Sequence, residues 1–148
     1  MWIASCEDDR IFRDSLEVIL TSIMKPEDFF TPFDTGSDLV DAARISNAPI
    51  DLLLLDMELP GVDGVGSAKE LLDFSPTTLI VVVTSHDDYA LPCYEINALH
   101  YLIKPVDAGK LQTVLEDVRY KLATQKSEVL KLDTRQVCRF IPLRDILY

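Results

Sequence analysis

The stretch LLLLDMELPGVDG, Leu52 to Gly64, decides how this chain folds. Four leucines in a row read as a strand buried on both faces, the habit of a parallel sheet covered by helices on either side. An ionised carboxylate directly after such a run, here Asp56, is tolerated only if it is exposed, paired or bound to a cation. The Leu59-Pro60-Gly61 that follows marks a loop, and Val65, Ala68, Leu71 and Leu72 then repeat at helical spacing.

The same alternation extends outward in both directions. Trp2 to Cys6 forms a first apolar run, followed by Phe12, Leu16, Ile19, Leu20 and Ile23 at helical period, with Asp8 or Asp9 as the cap. Phe29 to Phe33 is a strand suited to a sheet edge because it contains Pro32, and Ser37 to Ile45 reads as a short helix. The third strand spans Ile50 to Leu55, the fourth Thr78 to Val83 and the fifth His100 to Ile103. A helix is expected from Asp87 to about Ile96, and Leu111, Val114, Leu115, Val118 and Leu122 mark a long amphipathic final helix. Five strand–helix pairs of this kind predict an α/β protein with a doubly wound parallel sheet. After residue 127 the sequence EVLKLDTRQVCRFIPLRDILY changes to strand-like alternation around Asp133-Thr134, so a hairpin and the start of a second module are expected there.

Composition excludes several functions. The net charge of −11 repels phosphate backbones and argues against nucleic acid binding by this part of the chain. Residues 127–148 hold four basic and three acidic residues, so the negative charge belongs to what precedes them. Cys6, Cys93 and Cys138 fit neither a disulfide framework nor a zinc site and read as reduced thiols. His86 and His100 show no ligand spacing. No run is long enough to span a membrane, and MWIASCEDDR is not a signal peptide, so a cytoplasmic location and no membrane partner are expected. No GxxxxGK[ST] occurs.

Ligands of open parallel sheets bind beyond the carboxyl ends of the strands. Glu7 and Asp8 follow the first strand, Asp56 the third, Thr84 the fourth and Lys104 the fifth. With strand order 2-1-3-4-5, the first and third strands are neighbours and the three carboxylates converge. Such a cluster needs a raised pKa or a cation, and hard oxygen donors with room for water suit Mg²⁺. A carboxylate beside Mg²⁺ can be a nucleophile toward a phosphoryl group, while an ammonium and a hydroxyl pair with the remaining phosphoryl oxygens. Taken singly, each residue has an ordinary reading: Asp56 starting a turn, Glu7 and Asp8 near a helix cap, Lys104 solvated, Tyr101 and Cys93 in packing. Their joint placement at four strand ends favours chemistry.

The set Glu7-Asp8, Asp56, Thr84 and Lys104-Pro105 resembles the receiver domain of two-component response regulators over residues 1–125. The resemblance implies a flavodoxin-like fold with phosphoacceptor Asp56, a Mg²⁺ site of Glu7, Asp8, Asp56 and the Glu58 backbone carbonyl, a switch pair Thr84 and Tyr101, a phosphate-contacting Lys104, and a cis peptide at Pro105. It implies no enzyme but a module phosphorylated by a sensor histidine kinase, forming a homodimer through the fourth helix, fifth strand and final helix. TSHDDYALPCYEINALHYLIKPVD and CEDD are similar to the LytR/AgrA branch, and RFIPLRDILY resembles the opening of its LytTR DNA-binding domain. Residues 126–148 would then be a linker and the truncated start of that output domain, with DNA and transcription regulation reached only through its missing part. His86 departs from the branch pattern and, with Glu58, flanks the acceptor where the family tunes phosphoryl lifetime. A haloacid-dehalogenase-type enzyme also uses a strand-end Asp with Mg²⁺ and lysine, but needs a second Asp where Glu58 stands. An unphosphorylated adaptor would not need the acidic set.

Overall fold

The computed structural model describes residues 1–57, 64–85 and 96–135, the last ten as backbone. The elements run β1 (Trp2–Cys6), α1 (Arg10–Ile23), β2 (Phe29–Phe33), α2 (Gly36–Ile45), β3 (Leu52–Leu55), α3 (Gly64–Phe74), β4 (Leu79–Thr84), β5 (His100–Ile103) and α4 (Ala108–Arg135). The helix expected over 87–96 falls almost entirely outside the described residues. The five strands form one sheet in the order β2-β1-β3-β4-β5, and every pair is parallel.

The leucine run shows why the sheet is doubly covered. Successive side chains of a strand point to opposite faces. Leu53 and Leu55 join Ala4, Cys6, Ile80 and Val82 in a core completed by Leu39 and Ala43 of α2 and Ala68 and Leu71 of α3. Leu52 and Leu54 join Ile3, Val81 and Val83 in a second core, closed by Leu16 and Leu20 of α1 and Leu111, Val114, Leu115 and Val118 of α4. None of the four leucines is more than 2% exposed. β2 runs through Pro32 at the sheet edge, paired with Ser5 in a position that asks no N–H of the proline on an outer side.

Two glycine and acid placements hold the layers in register. A Cβ on Gly36 would lie 2.0 Å from Ser67 Oγ, so α2 and α3 approach closely only because position 36 has no side chain. At the far end of the sheet, the buried Asp28 carboxylate receives Arg119 of α4 through the two terminal guanidinium nitrogens, the N-terminal ammonium at 3.1 Å and the Lys25 N–H at 2.9 Å. Burial by itself would raise the Asp28 pKa; the hydrogen bonds from Arg119, Lys25 and the N-terminus reverse this and hold it well below the usual carboxylate range. His100 Nε2 lies 2.8 Å from Asp117 Oδ2 and ties β5 to α4.

One expectation is corrected. The alternation after residue 127 suggested an extended hairpin about Asp133-Thr134, yet the backbone is helical through Arg135. No Gly or Pro interrupts the chain between Lys110 and Ile141, and Glu, Leu, Lys and Gln are good helix formers. Val129 and Leu132 also share a helical i,i+3 spacing, so the pattern fitted both periods. Residues 136–148, including the tract RFIPLRDILY, lie outside the described residues.

Candidate functional site

Main-chain hydrogen bonds carry the sheet one residue beyond its strands and set the acids in place. Glu7 N–H donates to the Phe33 carbonyl at 3.0 Å, Asp56 N–H to the Cys6 carbonyl at 3.0 Å, and Lys104 N–H to the Thr84 carbonyl at 2.8 Å. The residues after β1, β3 and β5 are thereby aligned along one edge of the sheet. Gly64, opening α3, packs against the same backbone: a Cβ there would stand 2.9 Å from the Asp56 carbonyl oxygen and from Met57 Cα.

The cap of α1 separates two acids that the sequence left open. Asp9 is the N-cap, accepting from the N–H groups of Ile11 and Phe12. Asp8 is thus not needed as the cap and stands exposed beside Glu7 and Asp56. Carboxylate oxygens of these three residues lie within 4.8 Å of one another. Glu7 and Asp56 are buried, at 3% and 5% exposure. Lys104 Nζ sits between the buried pair, donating to Glu7 Oε2 at 2.6 Å and to Asp56 Oδ2 at 3.4 Å.

The electrostatics follow from that burial. Removal from water, joined by the nearby Asp56 charge, pushes the Glu7 carboxyl up to about 7, against the pull of Lys104 and the Asp9 N–H. Burial draws Lys104 down, but the hydrogen bond it donates to Glu7 and the charges of both carboxylates leave it above its ordinary value. Burial first, then the charges of Asp56 and Glu7, drive the Cys6 thiol up to about 12, which makes it an inert packing group.

An oxygen-only donor set, buried at Glu7 and Asp56 and open to solvent at Asp8, fits a hard divalent cation such as Mg²⁺. Held there, such a cation would replace part of the water these carboxylates have lost and neutralise negative charge on an incoming phosphoryl group.

Thr84 ends β4, fully buried, one strand over from β3. Tyr101 lies in β5 opposite Val82, half-buried against the core on the α2 and α3 side. The Lys104-Pro105 peptide is cis. Glu58 and His86 are outside the described residues. One participant escaped the sequence reading: the Phe12 ring lies under the Lys104 ammonium, 4.3 Å from Nζ to the ring centre. Its only signal was an aromatic residue three positions past the cap, indistinguishable there from ordinary core.

Comparisons with known proteins agree with this architecture. The family model for the response regulator receiver domain matches residues 3–116. Sensory transduction protein LytT of Bacillus subtilis is 32% identical over 121 residues, covering 78% of this chain and 46% of LytT. Transcriptional regulatory protein BtsR of Escherichia coli is 26% identical over 136 residues, covering 92% of this chain and 55% of BtsR. The chain therefore spans about half the length of these curated relatives, which are consistent with the LytTR branch. Among solved structures, the response regulatory domain of mrkE from Klebsiella pneumoniae superposes with a TM-score of 0.73 at 22% identity, covering 84% of this chain and 99% of that one. The receiver domain of a Pseudomonas aeruginosa sensor histidine kinase, solved with a magnesium ion coordinated in its active site cleft, gives 0.68 at 23% identity over 78% of this chain and 94% of that one.

Proposed function

This chain belongs to the response regulator receiver domain family, and from that premise we propose that Asp56 accepts a phosphoryl group from a sensor histidine kinase in a Mg²⁺-dependent reaction. The observation that carries the proposal is the buried Asp56 carboxylate, grouped with Glu7 and Asp8 within 4.8 Å and contacted by Lys104 at 3.4 Å. An Asp56 carboxylate oxygen attacks phosphorus as the bond from phosphorus to the donor breaks, and the donor leaves with that electron pair. With a phosphohistidine the broken bond is P–N and imidazole departs; with acetyl phosphate it is P–O and acetate departs. Mg²⁺, when bound, supplies charge neutralisation for the transferred oxygens.

The chain's own residues do the rest. Glu7, Asp8 and Asp56 hold the cation, with the backbone carbonyl of Glu58 as a further ligand. Lys104 exchanges its carboxylate contacts for a phosphoryl oxygen, and the Thr84 hydroxyl takes another. Engagement of Thr84 vacates space into which Tyr101 turns, remodelling the face made by the segment 87–96, β5 and α4. Two copies pair through that face and bring output domains to paired DNA sites, the output being a LytTR-type domain that begins within residues 126–148 and regulates transcription. The expected setting is the cytoplasm; among the described residues no helix is long and apolar enough to cross a membrane.

Intact-protein mass after incubation with acetyl phosphate and Mg²⁺ tests the central step. One phosphoryl adduct on the wild type, absent without Mg²⁺ and absent in Asp56→Ala, is the expected outcome. No adduct on a folded wild type would sink the proposal and leave the fold as an adaptor.

A further inference from the structure

Lys104 is held on a third side by a group that carries no charge. Its ammonium is over the Phe12 ring at 4.3 Å, inside the range at which the negative face of an aromatic quadrupole attracts a cation. Glu7 and Asp56 occupy the other sides, and the lysine side chain is only 16% exposed, so water screens these contacts poorly.

The ring itself has a fixed seat. Phe12 packs against the core formed by Ile3, Leu16, Leu54 and the α4 leucines. Its backbone N–H is bound by the Asp9 carboxylate that caps α1, at 3.3 Å. The cap that starts the helix therefore also sets the ring beneath the ammonium. A lysine has a flexible four-carbon stem and three rotatable donors, so two carboxylates alone allow it several poses. An aromatic floor narrows them. It also keeps its attraction when the charge on Asp56 is rearranged by phosphoryl transfer, which the carboxylate contact does not.

We propose that Phe12 is a positioning residue for phosphoryl acceptance, acting through Lys104: its ring face holds the ammonium where a phosphoryl oxygen will arrive. The inference rests on Asp56 being the acceptor.

The test is the rate of Asp56 phosphorylation by acetyl phosphate at saturating Mg²⁺, measured on the full chain carrying mono-, di- or trifluorinated phenylalanine at position 12 alone. Fluorination weakens the quadrupole with little change in size. The expected result is a stepwise decline reaching about threefold to tenfold for the trifluorinated ring, with the thermal midpoint unchanged. Phe12→Leu should match the trifluorinated chain, Phe12→Tyr should stay within about twofold of wild type, and in Lys104→Ala the fluorine series should be flat. A flat series in the wild-type background, or a slope that survives in Lys104→Ala, overturns the role of Phe12. Absence of any adduct on the unsubstituted chain instead overturns the acceptor reading, so the two failures are distinguishable.

Discussion

Removing the guanidinium of Arg119 tests how the final helix is fastened to the sheet. Asp28 is fully buried at its side chain, whereas Arg119 keeps 23% exposure and can recover some hydration when its partner is lost. Arg119→Met retains the aliphatic stem but leaves a buried carboxylate with the N-terminal ammonium and one backbone N–H. Breaking a buried pair from one side costs about 3–5 kcal/mol, and the remaining ammonium offsets part of this, so about 2–3 kcal/mol is expected. Asp28→Asn should cost more, because two cations lose their counter-charge at once. For a domain of this size those losses correspond to a fall in Tm of about 8–12 °C for Arg119→Met and a larger one for Asp28→Asn. The pH dependence fixes the cause. The folded pKa of Asp28 is depressed, so its contribution is whole above the unfolded value of 3.8 and is lost as pH falls below it toward the folded pKa. The stability gap between wild type and Asp28→Asn should therefore be constant from pH 7 to about 5 and shrink at lower pH. Urea titrations followed by the single tryptophan, Trp2, supply the assay, since its ring stacks on Phe29 at 5.7 Å next to this cluster in sequence. A loss under about 0.5 kcal/mol for Arg119→Met, of the size typical for exposed pairs, would refute the reasoning, as would a gap that is flat down to pH 2.

Other perturbations have equally definite outcomes. Ser5 Oγ is the one buried side-chain polar atom without a hydrogen-bond partner among the described residues, so Ser5→Ala should stabilise the fold by about 1 kcal/mol in a urea titration; a loss would mean the hydroxyl is satisfied. Gly36→Ala would drive a methyl into Ser67 and should lower stability by about 1–3 kcal/mol, with Gly36→Ala/Ser67→Gly recovering most of it; additive losses would count against the close approach of α2 and α3. Glu7→Gln removes one acidic oxygen donor and should weaken Mg²⁺ binding at least tenfold by isothermal calorimetry; unchanged affinity would remove Glu7 from the metal site.

The parts of this molecule legible in sequence are those whose signal is local. The runs Trp2–Cys6, Leu52–Leu55 and Leu79–Thr84 announce parallel strands because both faces of each are buried, and their ends fall within two residues of the sequence reading. The strand-end acids could be aligned in advance because parallel topology collects strand ends on one edge. The stretch 128–135 misled because its hydrophobic spacing fits two periods and only the absence of a breaker decides between them. Phe12 reads from sequence only as part of an apolar helix face and Asp28 carries no signal at all, since what gives each its role stands at Lys104 and Arg119, the latter 91 residues from Asp28. Nothing in the local sequence carries information about a partner so far along the chain.

The length of α4 has a mechanical meaning. Among the residues whose side chains are described, its buried positions run from Leu111 to Val118 and Leu122 is the last that packs on the core; the helical backbone continues to Arg135. At 1.5 Å per residue the stretch from Leu122 to Arg135 is about 20 Å long. A helix is a stiff rod, so a tilt of about 10° about Leu122 carries Arg135 sideways by about 3.5 Å. A small change of angle where Leu111 to Leu122 meet the core therefore becomes, at residue 135, a shift as large as an atomic diameter.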